Sequence, residues 1–492
     1  MEVHKTQTSS LPTGESESEG KQKQTKMNSV FVVPPHPRLL PKGEGMYVVL
    51  VLKRDLTSIL IPFVYFIAGA VSLAGVATMF YYKEDLGLTI SQAQILGSIS
   101  LIPWSIKPLY GFFSDRMPVF GMRRKPYLFL AGILGAAGYF SLATWVSSFA
   151  GALVAVLLSG MGFALADVIV DGIVAERSRS QTEAGKLQSI CRAALLTGAL
   201  IVSYLSGILV EWIGARNVFF ITGTLPLATT LFALLVTEGT GEAISFSIWE
   251  TWQKLKGAVT PGLLWAAFFL FLWRSTPSSG GAFSYYLIDE LEFSPEFFGR
   301  LSLISHTMGI VGVFFFRKFL MSVSLRKLFS GIIIASVVLS LPSLGLVYGW
   351  YKVLGVSSQF FAMADTLISA PLSEIGFLPL MVLIARVCPR GLEATMFAIL
   401  ASLANIGLAV SDMGGAALVS FFDVRQAADP LGANYAHLDI VLWIAILSSF
   451  LPMPFLRFLP ETRVVDELMP GVMPSAETAF TAGLGKEKKA VA

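Results

Sequence analysis

Long apolar runs, separated by short charged connectors, constrain this chain more than any other feature. A helix needs about 20 mostly apolar residues to cross roughly 30 Å of hydrocarbon. In that medium the backbone must satisfy its own hydrogen bonds, so runs of this length fold as helices. Twelve can be read, near residues 58–82, 91–114, 127–146, 150–175, 187–212, 218–236, 263–287, 295–316, 325–349, 360–387, 393–421 and 437–459. Only 14% of the 492 residues are charged, against about 25% in soluble domains. The expected fold is an all-α membrane protein, twelve transmembrane helices in two six-helix bundles. Residues 1–55 form a polar tail and 56–236 the first bundle; 237–260 connect it to the second, 261–460, and 461–492 form another tail. Pro371, Gly376 and Pro379 mark the tenth run as the weakest helix.

Arginine and lysine distribution orients the runs. One set of connectors carries Arg116, Arg123, Arg124 and Lys125; Arg177, Arg179 and Lys186; Lys254 and Lys256; Arg317, Lys318, Arg326 and Lys327; Arg386 and Arg390. The other set carries Lys83, Arg216, Arg300, Lys352 and Arg425. Both termini are therefore expected in the cytoplasm or its topological equivalent. The stretch from Thr6 to Lys26 is too polar to bury a core and is expected to be disordered. Its glutamates argue against a transit peptide, and no short apolar segment follows a basic start as in a secretory signal. A net charge of +3 gives no reason to expect nucleic acid. Cys191 and Cys388 cannot build a disulfide framework and read as packed thiols near the basic side. No Walker phosphate loop, metal-ligand spacing or nucleophile elbow is present, so neither an ATP-driven pump nor an enzyme is expected, and no cofactor.

Two stretches repeat across the central connector. Leu86-x-Leu88-Thr89 followed by Leu96-x-x-Ile99-Ser100 matches Leu291-x-Phe293-Ser294 followed by Leu301-x-x-Ile304-Ser305, 205 residues later. Glu183-Ala184 matches Glu393-Ala394 at an offset of 210. Near-equal offsets point to a duplicated six-helix unit. Transporters of that layout bind substrate near the midplane between their halves.

Ionisable groups at membrane depth are costly and mark function by default. Here they are Lys107, Asp167, Asp171, Arg192, Arg274, His306, Asp365, Glu374 and Asp412. Arg274 is followed by Pro277-Ser278-Ser279-Gly280-Gly281, which should break the seventh helix. Such a break is tolerated at depth only inside protein or along a cavity. Arg274 is therefore expected to face the cavity and grip a carboxylate, the alternative being an ion pair with Asp365, Glu374 or another acid. Asp167 and Asp171 share one helix face, where two carboxylates cannot both ionise cheaply. They read as proton carriers, substrate ligands or partners of Arg192 or Lys107. Lys107 pairs with an acid, snorkels or meets substrate. His306 is either packed and satisfied or a proton relay. Glu374, Asp412 and Asp171 are the proton-coupling candidates; the first two have helix–helix hydrogen bonding as the alternative.

The connector after the second helix reads Gly111-Phe-Phe-Ser114-Asp115-Arg116, then Arg123-Arg124-Lys125. It resembles the signature of the major facilitator superfamily, with a longer gap before the basic cluster. Gly111 is expected to let two helices approach, and Asp115 to accept from a helix N-terminus or an arginine. Asp115, Arg116, Arg123 and Arg124, with Glu176 and Arg177 after the fourth helix, then form a gating group; topogenic charge alone is the alternative.

Further segments extend the resemblance. They are Trp104-Ser-Ile-Lys107-Pro108-Leu-Tyr110-Gly111-Phe-Phe-Ser114-Asp115, Ala166-Asp167-Val-Ile-Val-Asp171-Gly, Gly185-Lys-Leu-Gln188-Ser189 with Arg192 beyond, and Cys388-Pro389-Arg-Gly391-Leu-Glu393-Ala394-Thr395-Met-Phe397-Ala398. Together they are similar to the folate–biopterin transporter family, a branch of the major facilitator superfamily found in cyanobacteria, plants and trypanosomatids. The resemblance implies a monomeric, proton-coupled transporter of folates or related pterins, embedded in a lipid bilayer. The membrane would be a bacterial inner membrane or a chloroplast envelope. A pterin edge would suit Asp167, Asp171 or Asp365, and the carboxylates of folate would suit Arg274, Arg192 or Lys107. Two other readings stand beside it: a facilitator of another organic anion, or a membrane chaperone on the same scaffold.

Overall fold

The computed structural model describes residues 59–177, 181–235, 259–387 and 393–459, with Glu238, Gln253, Lys256 and Gly257 of the central connector. All lie in one of the two units into which the chain divides, Val51–Ala492. The expected tails, and among the connector residues Arg179, Lys254, Cys388 and Arg390, fall outside the described residues.

Apolar runs became helices throughout. In chain order they are α1 (Ile59–Asp85), α2 (Ile90–Ser100), α3 (Ile102–Ser105), α4 (Lys107–Arg116), α5 (Lys125–Thr144), α6 (Phe149–Arg177), α7 (Gln181–Ile213) and α8 (Ala215–Leu235). The second half of the chain gives α9 (Pro261–Arg274), α10 (Gly280–Asp289), α11 (Pro295–Phe315), α12 (Leu325–Val347), α13 (Trp350–Val353), α14 (Ser358–Val387), α15 (Glu393–Phe421) and α16 (Leu438–Ser448). Ten helices among the described residues are long and apolar enough to cross a membrane. The two other expected crossings are broken. Residues 90–116 fall into α2, α3 and α4, and residues 261–289 into α9 and α10. A count of twelve treats each broken set as one crossing.

The break after Arg274 is where Pro277 and the paired glycines placed it. Two other features differ from expectation. α14 runs unbroken from Ser358 to Val387 with Pro371 and Pro379 inside it. Gly312 of α11 gives Pro371 room: a Cβ at Gly312 would lie 3.0 Å from the Pro371 Cα. The second crossing is broken instead, with Pro103 and Pro108 each in the first turn of a new helix. Pro108 has no N–H to give the Trp104 carbonyl four residues back, so the helix restarts there. α1 also runs past its expected end, through a π-helical turn at Tyr81–Asp85 that carries Lys83 inward.

The repeat is visible in backbone geometry. Gly87 and Glu292, 205 residues apart, both have positive φ, 58° and 53°. The next residues, Leu88 and Phe293, are buried, and their N–H groups donate to the carbonyls of Tyr82 and Leu287 at 2.9 and 3.0 Å. Thr89 and Ser294 then cap α2 and α11 by accepting from the N–H three residues on.

Helices from the two halves of the chain pack together near the end that bears these two turns. α2 lies on α15, and α7 on α11. Gly207 of α7 and Gly299 of α11 meet backbone to backbone; a Cβ on Gly207 would stand 2.8 Å from the Gly299 nitrogen. Small residues let membrane helices gain contact where no hydrophobic force drives them together. Large apolar side chains such as Phe314 and Leu231 point outward, 67% and 64% exposed, as lipid-facing positions do.

Candidate functional site

Lys107 opens α4 after the Pro103–Pro108 break, and Asp167 lies on α6. Their side chains meet, Nζ to Oδ2, at 2.5 Å. The ammonium also sits 4.4 Å from the Trp104 ring centroid, a cation–π arrangement. One turn along α6, Asp171 accepts a hydrogen bond of 2.6 Å from the hydroxyl of Tyr65 on α1. Asp167 thus meets a cation, and Asp171 meets a tyrosine hydroxyl. Tyr65 and Asp167 also line a cavity with Phe163, Ala166, Pro226 and Thr229.

Arg192 does not join the aspartates. From α7 its Nη2 reaches both carboxylate oxygens of Glu374 on α14, at 3.1 and 3.0 Å, and its guanidinium lies 5.2 Å from the Phe377 ring. This ion pair links the two halves of the chain on the basic-connector side. Sequence marks each residue by its depth; only the structure pairs them. His306 is held by Ser203 Oγ at 3.1 Å and the Ser302 carbonyl at 2.9 Å, in accord with a packed, satisfied histidine.

Arg274 ends α9 at the break. No hydrogen bond or ion pair joins it to any described residue, so the expected alternatives Asp365 and Glu374 do not neutralise it. Asp365 on α14 and Asp412 on α15 are likewise without a hydrogen-bonding or ionic partner among the described residues. Asp412 faces the first half of the chain, where a Cβ at Gly97 would lie 3.5 Å from its Oδ2. Groups of both charges at membrane depth, unpaired among the described residues, are suited to a ligand carrying both kinds of partner.

The loop between α4 and α5 is tied down by side chains. Arg124 Nη2 is 2.7 Å from Asp115 Oδ1, and its Nη1 donates to Ser114 Oγ at 2.9 Å. Gly111 is not what brings helices together here, since a Cβ there would make only ordinary contact with Val168, at 3.5 Å. The close approach is at Gly172 of α6, where a Cβ would lie 2.8 Å from the Arg124 guanidinium carbon. The start of α5 is capped by Glu238, whose carboxylate accepts from the N–H groups of Arg123, Arg124 and Lys125 at 2.7 to 3.1 Å. Sequence gave no sign of Glu238, which stands more than a hundred residues away in the connector. Arg116 lies over the Phe112 ring. The side chains of Glu176 and Arg177 lie outside the described residues.

A second cluster was missed altogether. Lys83 Nζ is 2.6 Å from Asp289 Oδ1, with side-chain exposures of 8% and 5%. Asp289 also accepts from the Tyr435 hydroxyl at 2.6 Å and the Ala427 N–H at 2.8 Å. Burial, and then the bond to Asp289, push the Tyr435 hydroxyl far above its ordinary pKa, so it stays a donor. Gln426 beside it donates to the Leu88 carbonyl at 2.8 Å. In sequence Lys83 reads only as a connector charge.

A model of the BT1 family matches residues 68–471 of the chain. The folate-biopterin transporter of Synechocystis sp. is 35% identical over 414 residues, covering 82% of each chain. Folate transporter 2 of Plasmodium falciparum is 28% identical over 389 residues, 78% of this chain and 86% of its own. Among solved structures, the D-xylose-proton symporter superposes with a TM-score of 0.60 at 16% identity, covering 82% of this chain and 98% of that one. The nucleoside transporter NupG gives 0.61 at 12% identity, covering 82% and 99%. These two share the major facilitator-type fold with the chain.

Proposed function

Because the chain belongs to the BT1 family, we propose that it carries folates or related pterins across a membrane by alternating access, coupled to protons. It is a transport protein, not an enzyme. The carrying observation is Arg274, a cation at a helix break with no ionic partner among the described residues. A guanidinium there grips a substrate carboxylate in two parallel hydrogen bonds. Asp365 and Asp412 accept from the N–H edge of a pterin ring. The names of the relatives in Synechocystis and Plasmodium supply the substrate class.

Proton coupling falls to acids whose partners can change. Asp171 shares its proton economy with Tyr65, and Asp167 gives up Lys107 when protonated. Glu374 releases Arg192 in the same way. The excess of Lys and Arg in one set of connectors supports termini in the cytoplasm or its equivalent, with residues 56–236 and 261–460 moving as two bundles. The Asp115–Arg124 pair, with Arg116 and Arg123 near it, then steadies the basic face during that motion.

Uptake of labelled folate and biopterin into proteoliposomes tests the reading. Saturable uptake that rises with an inward proton gradient is expected, and Arg274→Ala should lower it at least a hundredfold at equal protein abundance, as loss of a charged, desolvated bidentate contact implies. Neither uptake nor binding of any folate or pterin would overturn the reading; unchanged uptake in Arg274→Ala would remove Arg274 from the site.

A further inference from the structure

Each broken crossing places a free carbonyl close to a site cation, and each carbonyl is met by a side-chain amide from the other half of the chain. Trp104 lies three residues before Lys107. Its carbonyl loses its helical donor because Pro108 has no N–H, and Asn405 of α15 donates to it instead, Nδ2 to O, at 3.1 Å. Ser278 lies four residues after Arg274. Its carbonyl accepts from Gln94 Nε2 of α2, also at 3.1 Å.

The second contact is shaped as well as bonded. Gln94 is 6% exposed and fills space that glycines leave open. A Cβ on Gly281 would lie 2.7 Å from the Gln94 Cγ, and no other residue contributes its three nearest neighbours. Gly415 of α15 makes the opposite wall, where a Cβ would lie 2.7 Å from Gln94 Nε2. The rest of the break is fastened within its own half: Ser278 N–H donates to the Ser411 carbonyl at 3.0 Å, and Ser411 Oγ donates to the Thr276 carbonyl at 2.5 Å. Ser411 therefore travels with the break, whereas Gln94 reaches it only while the two halves are together.

We infer that Gln94 and Asn405 are positioning residues, which fix the breaks beside Arg274 and Lys107 when the halves close and release them when the halves part. The amides make the placement of the two site cations depend on the state of the interface. This rests on the alternating-access reading but not on the identity of the cargo. Parting of the halves withdraws the Gln94 donor from Ser278 and frees the residues after Arg274 to shift; closing seats Gln94 between Gly281 and Gly415 and restores one geometry.

The test uses the full chain in lipid nanodiscs, without substrate, in a Cys191→Ala, Cys388→Ala background. The reporter is Ser98→Cys on α2, a position 2% exposed whose side chain meets the Ala409 carbonyl across the interface. A water-soluble maleimide labels it when the halves separate. Q94A and N405A should each speed labelling about fivefold, the worth of one neutral hydrogen bond. G281A, which collides with Gln94, should speed it tenfold or more and abolish transport in proteoliposomes. The double variant Q94A/G281A should return to the labelling rate and transport of Q94A. Parental labelling in Q94A, N405A or G281A overturns the inference, and so does a double variant as damaged as G281A. Because labelling needs no cargo, the inference and the folate reading fail independently.

Discussion

An ammonium and a carboxylate that are 8% and 5% exposed hold each other in place, since neither has water enough to be stable alone. Removing one member of such a pair costs about 3–5 kcal/mol because the other charge is stranded. Lys83→Met should therefore lower the thermal midpoint far more than its lost contacts alone would. Asp289→Asn should do the same, and it also weakens the bonds from Tyr435 and Ala427. The double variant should be milder than the sum of the two, a result that differential scanning fluorimetry of the four proteins reads directly. Additive losses would mean that the two charges do not depend on each other. Nothing in the neighbourhood of Lys83 in sequence announces its partner, because 206 positions separate the two. Arg274 is the contrary case. Its apolar surroundings and the Pro-Ser-Ser-Gly-Gly that follows are local, and local patterns are what a sequence displays.

At the scale of elements, legibility follows the same division. Helix type and length were readable because a lipid-embedded backbone has few alternatives. The break in the seventh crossing was readable because proline and glycines cluster there. The unbroken α14 was not, since Pro371 is accommodated by Gly312, a residue of another helix. The break at Pro103 and Pro108 is hard to read because each proline stands alone in an otherwise long run, with no paired glycines beside it. The repeated turn gives a prediction of its own. Gly87 and Glu292 hold equivalent left-handed positions, but only one is glycine. A side chain there costs about 1–2 kcal/mol, of which glycine's greater unfolded-state freedom returns about 0.4–1. Glu292→Gly should raise stability and Gly87→Ala should lower it, each by about 0.5–1 kcal/mol, in parallel denaturation curves. A second element prediction concerns α5. Glu238→Ala strips the acceptor from three N–H groups at its start and should cost about 1–2 kcal/mol, with faster amide exchange at Arg123, Arg124 and Lys125.

Over the whole molecule, contacts between the halves of the chain are unevenly placed. Near the Gly87 and Glu292 turns they include the Lys83–Asp289 pair, the Gln94 slot, the Gly207–Gly299 approach and the bond from Tyr204 to Glu296, 2.7 Å long. Toward the basic connectors, Arg192 and Glu374 bridge the halves from α7 to α14. In the proposed alternation, the first group opens while links of the second kind multiply, so Arg192–Glu374 is placed to set the balance between the two states. Arg192 is 42% exposed and Glu374 18%, so water screens their attraction, and the pair is worth about 1 kcal/mol rather than the several of a buried one. A shift of that size changes the ratio of two states about fivefold. Arg192→Ala and Glu374→Ala should each reduce the transport rate by about that factor, with thermal midpoints little changed. The exchange R192E/E374R should recover most of the rate if pairing across the halves is what matters. Recovery that fails while both single variants are impaired would assign Arg192 to the cargo instead, where only a cation serves. The same exchange, measured with cargoes that carry and lack a carboxylate, then tells whether the loss falls on all substrates alike or on the anionic ones alone.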